Sequence, residues 1–297
     1  MKTFLPRSLR ASVYIFACLF IFPSSPVFSQ VFTFTAIPDQ DETHLKQRFN
    51  KVARYLEAQL GIEVRYIPVK SYSAAISAFR NNQVQLAWFG GLSGVQARNL
   101  VKNSKAIAQG YEDQFFKTYI VAHHSTALPQ AKQLPADAKN FTFVFGSKGS
   151  TSGRLMPEFY LRENYGLAPV KIFKRIGFSG DHSRTIALVQ SGAYDLGAVN
   201  YKVWEKELAD GKINPDKVSV IWQTPTYPDY QWTIRGDVNA AWGQGFSQKV
   251  QTALLSMSAP ELLESFPRSR FIPARSEDYQ PIYDVARSIG LIRAASH

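Results

Sequence analysis

Apolar and polar positions along this chain alternate with two different periods, and each change of period marks a new element. Phe32-Thr33-Phe34-Thr35-Ala36-Ile37 alternates strictly and stops at Pro38, which predicts a strand. Over 43–60 the apolar residues Leu45, Phe49, Val52, Tyr55, Leu56 and Leu60 recur at helical spacing, and Gly61 closes the run. A second strand is predicted from Val64 to Val69, a helix over 72–81, and a third strand from Gln85 to Phe89 that ends at Gly90-Gly91. This β-α-β-α-β order implies parallel strands joined by right-handed crossovers.

The alternation resumes after Thr118. Tyr119 to Ala122 is extended, Phe141 to Phe145 is a strand, and 153–165 reads as a helix. A strand from Phe173 to Phe178, a helix over 184–191 and strands at Asp195 to Val199 and Val218 to Trp222 follow. The chain closes with helical patterns over 245–257, 260–266 and 280–289. Two α/β units and a helical tail predict a two-lobed α/β fold, with the ligand cleft between the lobes. Ligands of open α/β sheets sit outside the carboxyl ends of the strands. The expected boundaries are a leader at 1–29, lobe one from 30–121 and 227–297, and lobe two from 122–226. The chain is expected to cross near 119–124 and again near 222–232. The Thr-Pro and Tyr-Pro steps of 223–230 favour extended backbone at the second crossing.

The first residues read as an address. Lys2, Arg7 and Arg10 precede an apolar run of ten residues from Val13 to Phe22. A bilayer span needs about 20 residues, so this run is too short to cross. Pro23-Ser24-Ser25-Pro26 breaks it, and Val27-Phe28-Ser29 resembles a cleavage site, which places the mature start near Gln30. Cys18 is the one cysteine and lies inside the run, where a lipidation cysteine would follow it. The mature chain of about 268 residues then has no disulfide, thiol nucleophile or thiolate metal site and must be held by its core. The net charge is +11, of which the leader carries three, leaving +8. The basic residues are dispersed, with no stripe interleaved with aromatics, which disfavours nucleic acid; a positive field that steers a small anion fits them.

Three strand-to-helix turns carry candidate chemistry. In Gly146-Ser147-Lys148-Gly149-Ser150-Thr151-Ser152-Gly153, the hydroxyls of Ser150, Thr151 and Ser152 stand where a helix presents unpaired N–H groups and partial positive charge. Trp88-Phe89-Gly90-Gly91 offers aromatics to wall a pocket and glycines that let backbone approach a ligand. Gly177-Phe178-Ser179-Gly180-Asp181-His182 brings a histidine that can donate to an anion and, if charged, pair with it; Asn200 and Tyr201 stand at the tip of the next strand. Enzyme motifs are missing: no G-x-S-x-G, Walker loop or H-E-x-x-H occurs. His123-His124 are adjacent, so a strand points them to opposite faces. Asp39, Asp41 and Glu42 form the only acidic cluster and read as caps of the 43–60 helix.

From Thr33 to Leu291 the chain resembles the phosphonate/phosphite-type solute-binding proteins of ABC importers. The resemblance is carried by Ile37-Pro38-Asp39-Gln40, by Leu86 to Gly91, by Gly149 to Gly153, and by Gly180-Asp181-His182 with Tyr194 to Asn200. A selenate-binding branch of that family is similar around Trp88 to Arg98 and Gly153 to Pro157. The resemblance implies that Ser150, Thr151 and Ser152 hold an oxyanion, that Tyr72 closes the pocket and that His182 touches the anion. Asp229 lies near a further family contact. Ser183 and Asn200 stand where relatives that grip an aminoalkyl phosphonate have acids, which favours phosphite or methylphosphonate; selenate is the alternative. It also implies a two-lobed periplasmic binding protein fold (type II-like) and a periplasmic monomer that serves an ABC permease and ATPase, without cofactor or metal. A periplasmic enzyme or a sensor acting on such an oxyanion is the reading from another class.

Overall fold

The computed structural model describes residue 1, residues 30–263 and residues 266–292. The expected leader and Cys18 lie outside the described residues. The first half of lobe one runs β1 (Phe32–Ala36), α1 (Glu42–Leu60), β2 (Val64–Tyr66), α2 (Tyr72–Arg80), β3 (Leu86–Phe89), α3 (Gly91–Leu100) and β4 (Lys105–Gly110). The predicted stripe of α1 is the buried one, with Leu45, Phe49, Val52, Leu56 and Leu60 facing the core. Of the acidic trio only Asp41 caps this helix: its side chain accepts from the Thr43 and His44 N–H groups, and Gly61 ends the helix at φ 69°. Strand β2 stops at Tyr66, short of the predicted Val69, because Pro68 has no N–H to give the ladder.

Lobe two is β5 (Thr118–His123), β6 (Thr142–Phe145), a π-helical turn at Thr151–Leu155 running into α4 (Met156–Tyr165), α5 (Pro169–Ile172), β7 (Arg175–Phe178), α6 (His182–Gln190), β8 (Leu196–Asn200), α7 (Tyr201–Ala209) and β9 (Val218–Gln223). The chain then returns with β10 (Gln231–Ile234), α8 (Val238–Trp242), α9 (Phe246–Leu255), α10 (Pro260–Leu263), β11 (Phe271–Pro273) and α11 (Gln280–Ser288). The two sheets have the orders β11-β4-β10-β3-β1-β2 and β7-β6-β8-β5-β9. The pairs β2-β1-β3 and β7-β6-β8 are parallel, while β10 and β5, the strands that follow the two crossings, pair antiparallel to both neighbours.

Strand β10 was not predicted, and it lies in the middle of the first sheet. All four of its residues are buried, so Gln231 and Thr233 break any apolar run. Both are satisfied by side chains. Arg98 donates to Thr233 Oγ1 at 3.2 Å. The Gln231 amide, oriented to donate to the Asp229 and Phe89 carbonyls, accepts from Arg98.

The first lobe boundary shifts from the expected 121/122. Strand β5 pairs with β8 and β9 along its length, so the chain has already entered lobe two by Thr118. The crossings run side by side: Phe116 and Tyr227 exchange both backbone hydrogen bonds at 2.9 Å. The first crossing is a 3-10 turn at Tyr111–Phe115, and Asp113 within it accepts from Gly110 N–H at 3.0 Å. Arg268 donates to both Asp113 oxygens, at 2.9 and 2.7 Å, and both side chains are buried.

Removing one partner of such a pair leaves an uncompensated buried charge, which typically costs about 3–5 kcal/mol. Asp113→Ala is therefore expected to lower the unfolding free energy by about that amount in a urea titration. A loss of under about 1 kcal/mol would place this pair with exposed ones.

Candidate anion-binding site

The strand tips of both lobes converge on one buried seam. From lobe two comes the turn after β6. Ser150 caps the π-helical turn, its Oγ accepting from Gly153 N–H at 2.9 Å. Thr151 Oγ1 accepts from Leu92 N–H at 3.0 Å and so reaches lobe one at the start of α3. Ser152 is anchored by its carbonyl, which accepts from the Thr118 hydroxyl at 2.8 Å. All three hydroxyl residues are at most 2% exposed, so the cradle is shut off from bulk water.

His182 lies under this cradle at the start of α6 and is fully buried. Its Nδ1 accepts from Asn200 N–H at 3.2 Å. The proton of the neutral ring is therefore on Nε2, which faces Ser152 Oγ at 3.5 Å. Burial pushes the pKa down to about 3, which favours the first of the two expected roles, a neutral N–H donor, over the ion pair that a charged ring would make. The ring needs glycine beside it. A Cβ on Gly153 would sit 3.0 Å from His182 Cε1 and 3.0 Å from Ser150 Oγ.

Lobe one supplies Tyr72, Gly90 and Asp39. Tyr72 opens α2 and is buried, with its hydroxyl beside Ser150 but without a well-formed hydrogen bond. Its ring packs on the turn at Gly149, where a Cβ would lie 3.1 Å from Tyr72 Cβ. Gly90 precedes α3, and a Cβ there would meet Asp229 Oδ1 at 3.1 Å and Thr151 Oγ1 at 3.3 Å. Asp229, on the second crossing, accepts from Gly91 N–H at 2.8 Å. Its Oδ2 is buried with no hydrogen-bond partner, and burial raises its pKa to about 7.

The lobes are latched across the seam. His182 N–H donates to the Asp39 carbonyl at 3.0 Å. Asn200 Nδ2 donates to the Tyr230 hydroxyl at 2.9 Å, which donates to Asp39 Oδ2 at 2.9 Å. Asn200 Oδ1 caps α7 by accepting from Lys202 and Val203 N–H. Asp39 and Tyr230 were not anticipated at the seam. Asp39 was grouped with the helix-capping acids, although Ile37-Pro38-Asp39-Gln40 had been singled out. Nothing in the Tyr-Pro run of the crossing distinguishes Tyr230.

Phe89 and Tyr201 lie away from the cradle, and Trp88 lines a small hollow at the seam with Asp39, Asn200 and Tyr230. Strand alternation turns Trp88 into the core, where it stacks on Tyr230 with centroids 5.5 Å apart and meets Trp232, Phe266 and Phe271. Phe89 points to the opposite face and packs edge-on against Phe79 at 5.7 Å. Tyr201 packs against Phe116 at 4.8 Å beside the crossings. Trp88 therefore backs the seam behind Tyr230, while Phe89 and Tyr201 support the sheet and hinge. A hollow of about 640 Å³, lined by Tyr119, Lys132, Trp204 and Trp222, includes none of the cradle hydroxyls.

Residues 34–279 match the family model described as ABC transporter, phosphonate, periplasmic substrate-binding protein. The chain is 42% identical over 286 residues to the probable ABC transporter phosphite binding protein PhnD1 of Prochlorococcus marinus (strain MIT 9301), covering 93% of this chain and 96% of that one. It superposes on the structure of PhnD1 from that organism in complex with methylphosphonate with a TM-score of 0.85 and 41% identity, over 88% of this chain and 99% of that one. A binding protein component of an ABC phosphonate transporter from Pseudomonas aeruginosa shares the fold at a TM-score of 0.76 and 22% identity, over 86% and 85% of the chains.

The neutral state of His182 has a consequence for pH. Between about 6.5 and about 3 the unfolded chain binds a proton that the folded protein refuses. Stability attributable to this ring is therefore complete above about 6.5 and lost as pH falls through that window. Urea unfolding at pH 4.5 and 7 is expected to show a smaller pH dependence in His182→Gln than in the unsubstituted protein. Equal dependence in both would contradict the buried neutral ring.

Proposed function

The chain belongs to the ABC transporter phosphonate periplasmic substrate-binding protein family, and we propose that its cleft captures phosphite, methylphosphonate or a similarly compact oxyanion. As the solute-binding component of an ABC importer, such a protein carries its ligand to the permease and ATPase. The proposal further takes residues 1–29 as the export leader, the mature protein as a monomer, and its action as binding without turnover, so that the ligand is recovered unchanged.

One observation carries the choice of ligand. Ser150, Thr151 and Ser152 form a buried, neutral hydroxyl cradle at a helix start, with the His182 Nε2–H beneath it. Such a cradle suits three oxygens of a tetrahedral anion through hydrogen bonds and the helix field. An ammonium group carries three donors and needs acceptors for them. Asn200 is neutral and its acceptor oxygen is committed to capping α7. Ser183 is turned toward Glu207, to which it donates at 2.5 Å. Neither Asn200 nor Ser183 therefore offers a free acceptor to the tail of an aminoalkyl phosphonate. The Tyr72 ring, held against Gly149, supplies the aromatic wall that Trp88 and Phe89 had been expected to give. A fourth oxygen facing that wall without a partner costs about 1–3 kcal/mol.

Two titrations test the reading. Each hydrogen bond to a charged ligand is worth roughly 1.5–3 kcal/mol, so Ser150→Ala combined with Thr151→Ala is expected to weaken binding at least about a hundredfold. Unchanged affinity in the folded double variant would remove the cradle from the site. In a calorimetric panel, phosphite or methylphosphonate should bind at least about tenfold tighter than phosphate or 2-aminoethylphosphonate. A preference for either of the latter two would reverse the assignment.

A further inference from the structure

A carboxylate beside an anion cradle is repulsive unless a proton lies between the two. Asp229 is such a carboxylate. It is 1% exposed, and its Oδ1 is held by Gly91 N–H at 2.8 Å. A Cβ on Gly90 would meet both Oδ1, at 3.1 Å, and Thr151 Oγ1, at 3.3 Å, and the Thr151 hydroxyl acts to lower the Asp229 pKa, which places the carboxyl against the cradle itself. Oδ2 is buried and has no hydrogen-bond partner. A buried carboxylate oxygen without a donor is costly. Asp39 also has one unpartnered oxygen, Oδ1, but its other oxygen accepts from Tyr230 and Arg48 opposes the rise in pKa that burial causes.

Resting on the ligand reading above, we propose that Asp229 makes the site selective for oxyanions that carry a proton, with Oδ2 accepting a hydrogen bond from the ligand's own hydroxyl. A phosphonate or phosphite monoanion brings that proton as P–OH. Selenate and sulfate are fully ionised near neutral pH and bring none, so they bind only when Asp229 itself takes a proton from solution. One proton is shared in every complex, and its source separates the two classes of ligand.

The charged and titratable groups around Asp229 leave this role to it. Arg268 lowers its pKa and Asp113 raises it, and those two groups are paired with each other. The phenols of Tyr72, Tyr227, Tyr230 and Tyr279 surround it and are all held well above their ordinary range by burial, so they remain neutral. Burial holds the Asp229 carboxyl itself near 7, in keeping with a group that tolerates a shared proton.

The test is calorimetry of methylphosphonate, phosphite and selenate from pH 6 to 9, each in two buffers of different ionisation enthalpy. The second ionisation of a phosphate-type group lies at roughly 6, so at pH 9 the dianion dominates and must recover a proton to bind. Uptake of close to one proton per methylphosphonate is expected at pH 9. Affinity should fall about tenfold per pH unit in the upper part of the range. Asp229→Asn keeps an oxygen for Gly91 and places an amide donor where the carboxylate stood. It is expected to flatten the pH dependence and to bind selenate at least about tenfold tighter than the unsubstituted protein at pH 8. Tight methylphosphonate binding without proton uptake overturns the role of Asp229 and leaves the ligand reading standing. Failure of methylphosphonate and phosphite to bind at any pH overturns both. The buffer comparison needs only the unsubstituted protein, so it decides the question even if the variant does not fold.

Discussion

Two helix starts from opposite lobes meet at one point, and the closed arrangement depends on what lies between them. The first turn of α3 and the turn opened by Ser150 both present unpaired N–H groups and partial positive charge. Brought together bare, they would repel. Thr151 offers an oxygen to Leu92 N–H, and Asp229 offers one to Gly91 N–H. The seam is thereby supplied with negative density from the protein side. At the proposed site the same geometry would let a neutral cradle attract an anion through the backbone dipoles of both lobes. Closure and binding are thus two aspects of one electrostatic requirement.

The residues that hold this point are themselves fixed by layers behind them. Gln231 ties the Asp229 carbonyl to β3, and Arg98 ties Gln231 to α3. Trp88 backs Tyr230, which in turn links Asp39 to Asn200. His182 gains its tautomer from a backbone N–H of β8, so the direction of its free proton is set by strand position. The Asp113–Arg268 pair fixes the first crossing against the C-terminal segment, and the Asp113 carbonyl accepts from Asp229 N–H at 2.9 Å. The hinge and the site are consequently joined through two or three residues.

The sequence disclosed those parts of the molecule whose physics is local. The stripe of α1, the alternation of β1 and the Ser-Thr-Ser turn all follow from spacing and capping within one segment. The residues that escaped notice act across the chain. Strand β10 hides because Gln231 and Thr233 are buried against partners more than a hundred residues away. Asp39 is distinguished from Asp41 only by facing His182 and Tyr230. The misplaced aromatics show the reverse limit. Trp88 and Phe89 stand next to a functional glycine, but a strand sends neighbours to opposite faces, and here both faces are filled by core. Proximity in sequence suggested them as a wall, whereas Tyr72, which the family resemblance already implied, is the aromatic that packs on the turn at Gly149.

The placement of β10 also governs the order in which this protein can be built. Its neighbours β3 and β4 are complete by Gly110, but the strand that pairs with both of them is not made until Ile234. Until then lobe one has a gap at the centre of its sheet and two unpaired inner edges. Lobe two lies in one continuous stretch and needs nothing from elsewhere to close its own sheet. Non-local pairing of this kind is slow, because the loop must close before its contacts are rewarded. Lobe two is thus free to condense first and to bring β10 to its slot. Completion of lobe one therefore waits on a lobe that is already folded, and the cleft is formed last, when the returning strand fills the gap.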